Sequence, residues 1–170
     1  MANKNYELMH NHIMLSTANL IVTVPFSKLT VKQICEAANI NRNTFYRHFA
    51  DKIVLLEVML TAALTSLFEK VEVAEFKQHP FESIMKLEVE VLLAAFDFQL
   101  DDSVFQDIFD GMIFKTLRKL TDDQEFLWSL GNMYIIRLWN HNQAKPYSLH
   151  NGYQIFDQMF RDRQFPDSKK

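Results

Sequence analysis

The chain has 170 residues, of which 48% are apolar and 23% are charged, and its net charge is −3. This length suits one ordinary domain or two small ones and is too short for a large barrel or a multidomain enzyme. Its three glycines are widely separated, which excludes the clustered glycines of dinucleotide and P-loop phosphate sites. The single cysteine, Cys35, excludes a disulfide framework and a Cys-x-x-Cys site.

Scarce glycine and proline, with abundant leucine, phenylalanine and alanine, favour helices over sheets. We expect an all-α protein of eight or nine helices. The longest apolar run, residues 91–96, is far below the roughly 20 residues that span a bilayer, so no membrane partner is expected. Residues 1–15 lack the pattern of a secretory signal, which predicts a cytoplasmic protein.

Apolar periodicity and helix punctuation predict the helices in chain order. They cover approximately residues 5–23, 31–38, 42–49, 52–73, 80–98, 104–120, 122–142 and 149–163. The predicted caps are Asp51, Ser148 and three capping boxes, Thr30 with Gln33, Ser103 with Gln106, and Thr121 with Gln124.

The second and third helices have the proportions of a helix-turn-helix, because only three residues join them. In this turn Asn39 suits the left-handed conformation that ends a helix, and Asn41 suits the cap of the next one. The third helix has an apolar side, Phe45 and Phe49, that docks on a core. Its other side offers hydrogen-bond donors, as a helix lying in the major groove requires.

Residue type and position divide the predicted DNA contacts into two groups. Arg42, Asn43 and Thr44 stand at the start of the third helix, where they are placed to read bases. The polar and cationic side chains later in the third helix and at the start of the fourth are better matched to phosphates. The complete predicted DNA-binding set is Thr30, Arg42, Asn43, Thr44, Tyr46, Arg47, His48 and Lys52. The alternative is a charged, solvated helix pair without a nucleic acid partner.

The charge of this region is modest. Residues 1–58 hold six Lys or Arg against four Asp or Glu, which gives +2 and leaves −5 for the remainder of a chain of net charge −3. One such region gains little affinity from counterion release. Two regions on a dimer double the contacts, so symmetry is part of the predicted mechanism.

The N-terminal motifs resemble the DNA-binding signature of TetR/AcrR-type transcriptional regulators. The resemblance lies in Leu29-Thr30-Val31, Ile34-Cys35, Ala37-Ala38-Asn39-Ile40-Asn41, Thr44-Phe45-Tyr46, His48-Phe49, Lys52 and Leu55-Leu56. The chain departs from the family's pattern at Pro25, Cys35 and Asn39. The resemblance implies a DNA-binding domain over residues 1–52 and a helical ligand-binding and dimerisation domain over residues 53–170, dimerising through its last two long helices.

Two apolar sets are consistent with that implication. The predicted dimer residues are Leu130, Met133, Tyr134, Arg137, Leu138, Trp139, Phe156, Met159 and Phe160. The predicted lining of a pocket for an apolar or aromatic effector is Phe68, Phe96, Phe105, Phe109 and Met112. Simple core packing is the alternative use of both sets.

The sequence therefore predicts a homodimeric repressor that leaves a palindromic double-stranded DNA operator when a small molecule binds. The alternative is an activator or co-regulator controlled by a protein partner. No catalytic residues and no enzyme activity are predicted, because the spacing of the residues does not bring a nucleophile, a base and an orienting group together. The histidines lack ligand partners at a suitable spacing, so we predict no metal site and no cofactor.

Overall fold

The computed structural model describes residues 2–87 and 90–166, and over these residues it contains helices and no strand. The prediction of an all-α protein is confirmed. In this described part, ten α-helices follow one another: α1 (Ala2–Ile21), α2 (Val31–Ala37), α3 (Arg42–His48), α4 (Lys52–Lys70), α5 (Val73–Phe76), α6 (Pro80–Met85), α7 (Glu90–Phe98), α8 (Ser103–Leu120), α9 (Gln124–His141) and α10 (Leu149–Asp162). None of these helices has the length and the apolar character that crossing a bilayer demands.

The helix count exceeds the predicted eight or nine for two reasons. The four-residue α5 was not predicted, and it begins where the Glu72 carboxylate accepts a hydrogen bond from the Ala74 amide at 3.2 Å. The single helix predicted over residues 80–98 is two helices, α6 and α7, and after α6 the Leu87 amide bonds to the Ile84 carbonyl at 3.1 Å. Elements this short carry too little periodicity to be recognised in the sequence.

Side chains cap the helices as predicted at four places and differently at two. The caps at Thr30, Asn41, Asp51 and Ser148 are confirmed. The capping boxes at Ser103 and Thr121 are wrong. At α8 the Asp102 carboxylate accepts from the Phe105 amide at 3.0 Å, and at α9 the Asp123 carboxylate accepts from the Phe126 amide at 3.0 Å. A carboxylate is the stronger acceptor at a helix N-terminus.

The described residues group into two compact units. We call Met1–Thr65 with Val91–Thr116 the N-terminal unit, and Ser66–Glu90 with Leu117–Lys170 the C-terminal unit. The N-terminal unit thus includes α7 and most of α8, which the division at residues 52 and 53 placed elsewhere. The predicted boundary separates a DNA-binding domain from a ligand-binding and dimerisation domain, and this functional division stays a prediction.

A continuous apolar core supports the helix-turn-helix within the N-terminal unit. Its fully buried members come from every element between α1 and α4, namely Ile13, Phe26, Ile34, Phe45 and Leu55. The phenylalanine ring of Phe26 lies edge-on to that of Phe105, with ring centroids 6.4 Å apart. The core that supports α3 is therefore built from residues that precede it and residues that follow it in the chain.

The C-terminal unit is held by aromatic packing and one buried carboxylate. Phe81 of α6 packs on Phe156 of α10, with ring centroids 5.2 Å apart. Asp157, which is 2% exposed, accepts from the amides of Phe81 at 2.9 Å and Glu82 at 3.0 Å. Burial raises the pKa of the Asp157 carboxyl, although these two amide bonds act in the opposite direction. One face of α10 is consequently filled by α6.

Candidate DNA-binding interface

The capping box at Thr30 fixes where α2 begins. The Thr30 hydroxyl accepts from the Gln33 amide at 3.3 Å, and the Gln33 side-chain oxygen accepts from the Thr30 amide at 2.9 Å. The same oxygen also accepts the hydroxyl proton of Thr30 at 2.7 Å. Thr30 is exposed and its hydroxyl serves the helix start, and its contact with DNA stays a prediction.

The turn between α2 and α3 has the predicted geometry. Asn39 is in the left-handed region with φ of 51°, and the Ile40 amide closes the turn on the Cys35 carbonyl at 2.9 Å. The Asn41 side-chain oxygen accepts from the Thr44 amide at 2.8 Å and from the Thr44 hydroxyl at 3.2 Å. The hydroxyl of Thr44 is therefore engaged, and its methyl group is the part left for a thymine.

The two sides of α3 differ as a recognition helix requires. Phe45 is fully buried and Phe49, which caps the helix end, is 2% exposed. Arg42 and Asn43 are exposed in the first turn, and Tyr46 and Arg47 are exposed in the second. The donors that match guanine and adenine thus stand at the free end of a helix that is anchored by its apolar side.

Lys52 has a different environment from the predicted one. Its ammonium donates to the carbonyls of Phe26 at 2.8 Å, Ser27 at 3.3 Å and Leu29 at 2.7 Å, and it lies 4.7 Å from the centre of the Phe26 ring. Burial lowers the pKa of this ammonium. These three bonds use all of its protons. Lys52 therefore holds the residues before α2 in place, and its contact with a phosphate stays a prediction.

His48 also has an internal environment. Its ring is half-buried and stacks on the Tyr6 ring of α1, with ring centroids 4.2 Å apart. Its Nδ1 is buried without a hydrogen-bond partner. Burial, and then the nearby charges of His10 and Arg47, lower the pKa of His48. A neutral, stacked ring is poorly matched to the phosphate contact that was predicted for it.

The lowered pKa of His48 predicts an acid-sensitive fold. Since the folded state disfavours the protonated ring, the unfolded chain binds more protons. Stability is retained above the ordinary histidine pKa of 6.5 and is lost as pH falls through the lowered folded-state value. Urea unfolding above and below pH 6.5 measures the loss of stability. This loss should be smaller in His48→Phe, which keeps an aromatic ring but does not titrate. An equal loss in both proteins would assign the effect to other groups.

Several residues that position the interface carry no recognisable local signal. In α1, the Tyr6 hydroxyl donates to the Arg47 carbonyl at 3.4 Å, and His12 Nε2 lies 2.9 Å from the Ala38 carbonyl. Beyond α7, Gln99 and Asp102 bond to residues before α2. These partners are separated by between 26 and 75 positions. Short-range patterns do not contain such pairs.

The predicted effector residues belong to two different units. Phe96, Phe105 and Phe109 pack together in the N-terminal unit, where the Phe96 and Phe109 ring centroids are 4.4 Å apart. Met112 is half-buried in the same unit. Phe68 packs on Phe126 at 5.2 Å in the C-terminal unit. The contacts among Phe96, Phe105 and Phe109 are those of a packed core, which is the alternative use predicted for the effector residues.

The predicted dimer residues divide by exposure. Met133, Phe156 and Met159 are at most 6% exposed and form part of the core of the C-terminal unit. The partly exposed members are Leu130, Tyr134, Arg137, Leu138, Trp139 and Phe160. Two residues outside the predicted set are much more exposed, Trp128 at 76% and Ile135 at 51%. Helical periodicity alone did not separate the face of α9 that packs inward from the face that remains open.

One group of potential metal ligands comes together in the described part of the C-terminal unit. His79, Glu82 and Asp157 offer ligand atoms within 4.8 Å of one another. Each is already engaged: Asp157 caps α6, Glu82 lies 3.2 Å from Lys86, and His79 Nδ1 bonds with Arg161 at 2.9 Å. These contacts account for the cluster as an internal polar network.

Comparison with known protein families supports the interpretation of the N-terminal helices. Residues 13–59 match the family model described as bacterial regulatory proteins, tetR family. The match begins in α1 and ends in α4, and it includes the whole helix-turn-helix. Neither the curated proteins nor the solved structures gave a significant match. Residues 13–59 are therefore similar to the DNA-binding region of tetR-family regulatory proteins, and this likeness supports a DNA-binding role for the helix-turn-helix.

Proposed function

We propose that the protein is a homodimeric repressor that binds a palindromic operator in the cytoplasm and leaves it when a small molecule binds. The observation that carries the proposal is the exposure of Arg42 and Asn43 at the start of an anchored α3. These side chains make bidentate contacts with guanine and adenine in the major groove. Thr44, Tyr46 and Arg47 complete the proposed interface.

Few cations support each half of this interface. Lys52 is engaged with carbonyls, and Lys32 lies 3.7 Å from Glu36 on the surface of α2. Arg42, Arg47 and Lys28 are exposed. Sequence-independent attraction by one subunit is therefore weak, and two subunits engaging two half-sites raise the affinity. The two recognition helices then stand about 34–36 Å apart, or a multiple of that distance.

Selection from a random duplex library at near-physiological salt tests this proposal. The purified chain is mixed with the library, and the bound sequences are recovered and sequenced. We expect enrichment of a palindrome whose half-sites are about one helical turn, or a multiple, apart. Enrichment of a single half-site would contradict dimeric recognition. No enrichment by the folded protein would favour the alternative, a regulator that needs a protein partner.

For the dimer we propose the open face of α9. Trp128, Ile135 and Trp139 recur at intervals of seven and four residues, which places them on one face of the helix. The side chains of Trp128 and Ile135 are largely exposed, and the Trp139 ring lies 6.0 Å from that of Phe165. Exposed aromatic residues of this kind anchor protein interfaces.

Trp128→Asp is expected to yield monomers. A buried tryptophan anchor contributes about 2 kcal/mol or more, and twofold symmetry places two in one interface, so dimerisation weakens by about 4 kcal/mol. Sedimentation velocity over a dilution series measures the dimer dissociation constant. Val104→Asp on α8 is the matched control, because Val104 is an exposed apolar residue outside this face. If Trp128→Asp and Val104→Asp both remain dimers at low concentration, the interface lies elsewhere.

A further inference from the structure

An apolar groove of about 510 Å³ lies in the N-terminal unit between α1, α4 and α7. Its edge includes two large apolar side chains that the chain leaves exposed, Leu15 at 67% and Val91 at 54%. Pockets for small molecules commonly measure about 300–1,000 Å³ and are lined mainly by apolar groups. The groove has the size and lining of such a pocket.

The lining residues define the ligand chemistry. Each of the three helices contributes at least one alanine, Ala18, Ala63 and Ala95, and these small side chains leave room between the helices. Met14 and Met59 add flexible side chains that adapt to an irregular shape. Among the side chains that the structure describes, no charged residue lines the groove, and Asn11 is its only polar lining residue. A charged ligand would lose its hydration here without gaining a counter-ion.

All three helices are attached to the same stretch of chain, residues 21–29, which connects α1 to α2. Ile21, the last residue of α1, lines the groove itself. Lys52, the first residue of α4, donates to three carbonyls of this stretch. Gln99, which follows α7, accepts from the Phe26 amide at 2.9 Å and donates to the Ile21 carbonyl at 2.7 Å. A change in the spacing of these helices therefore acts on the residues that place the helix-turn-helix.

We propose that this groove binds a small, uncharged, mainly apolar molecule and that this molecule is the effector that lowers operator affinity. The regulatory half of this proposal rests on the proposed function. The site replaces the phenylalanine set as the effector pocket, because three of those rings pack on one another whereas the groove is open. The ligand releases DNA only as far as it prefers the arrangement in which α3 no longer fits the operator.

The groove is tested without DNA by titrating the full chain with N-phenylnaphthylamine, an uncharged apolar fluorophore. We expect saturable binding. Ala63→Phe puts a ring into the groove and should weaken binding by about ten-fold or more, because the ring takes the volume that the probe needs. Ala94→Phe is the matched control, since Ala94 is exposed on α7 and does not line the groove.

A second variant protects the test against misfolding. Leu15→Glu puts a charge at the exposed edge of the groove, where folding tolerates it, and it should also weaken probe binding. Circular dichroism confirms that each variant is folded. Equal binding by all variants, or no binding by the natural chain, overturns the proposed site. A change of oligomeric state in Ala63→Phe but not in Ala94→Phe also overturns it, because the occupant is then a second copy of the chain.

The regulatory half is tested on the selected operator. The probe should lower operator affinity of the natural chain, and it should have a weaker effect on Ala63→Phe, which still binds DNA. Probe binding with unchanged operator affinity overturns the regulatory half. Probe binding by a chain that selects no operator would leave the site standing and refute the proposed function.

Discussion

Arg42→Ala is expected to weaken binding to the selected operator by about 2–6 kcal/mol, because a bidentate base contact contributes about 1–3 kcal/mol and a homodimer loses it in both half-sites. Arg42 is exposed in the first turn of α3, so its removal leaves the core of the N-terminal unit intact. The loss should be confined to operators that carry the matching base. On duplexes substituted at that position, the natural protein and the variant should bind alike.

Arg47→Ala is the control for this prediction. Arg47 is also an exposed arginine of α3, but it lies in the last turn, where we propose a phosphate contact. This variant should weaken binding to all sequences and should reduce the slope of log affinity against log salt by about one per contact. Competition titrations on a set of single-base operator variants, repeated at several salt concentrations, measure both effects. Equal, sequence-independent losses in the two variants would contradict the proposed division between base and phosphate contacts.

Gln99→Leu is expected to lower the free energy of unfolding by about 3 kcal/mol or more. The Gln99 side chain is fully buried and bonds to the Phe26 amide, the Ile21 carbonyl and the Val24 carbonyl. Leucine has a similar size but leaves these three backbone groups without partners, at about 1–3 kcal/mol for each buried group. Urea denaturation followed by circular dichroism measures the loss.

Gln106→Leu is the matched control, because it makes the same substitution three residues into α8. The Gln106 side chain donates one hydrogen bond, to the Gln99 carbonyl at 3.0 Å, and it is only half-buried. We expect a loss of about 1 kcal/mol from this variant. Similar losses from the two substitutions would mean that Gln99 does not hold the residues before α2 as strongly as its contacts indicate.

The Gln99→Leu variant also tests the proposed regulation. If Gln99 transmits the spacing of α7 to the residues before α2, a folded Gln99→Leu protein should bind operator with an affinity that responds less to an occupied groove. Lys52 provides the corresponding attachment for α4. The Gln99 attachment ties the end of α7, which lies far along the chain, to the compact unit that contains the helix-turn-helix.

The helix-turn-helix was predictable because its signals are local. The capping box at Thr30, the left-handed Asn39 and the cap at Asn41 each involve residues no more than three positions apart, and the structure contains all three. The apolar positions Phe45 and Phe49 follow helical spacing and are buried. Local hydrogen bonding and helical periodicity are short-range effects, so the sequence alone contains them.

The environments that the sequence did not indicate depend on distant partners. Lys52 and His48 are the types that contact phosphate, yet the carbonyls before α2 engage one and the Tyr6 ring of α1 covers the other. The apolar face of α10 met the short α6, which periodicity did not indicate. The sequence by itself determined the helical class and the helix-turn-helix. Only the tertiary structure decided which polar and apolar side chains remain available, because burial and hydrogen bonding depend on elements far apart in the chain.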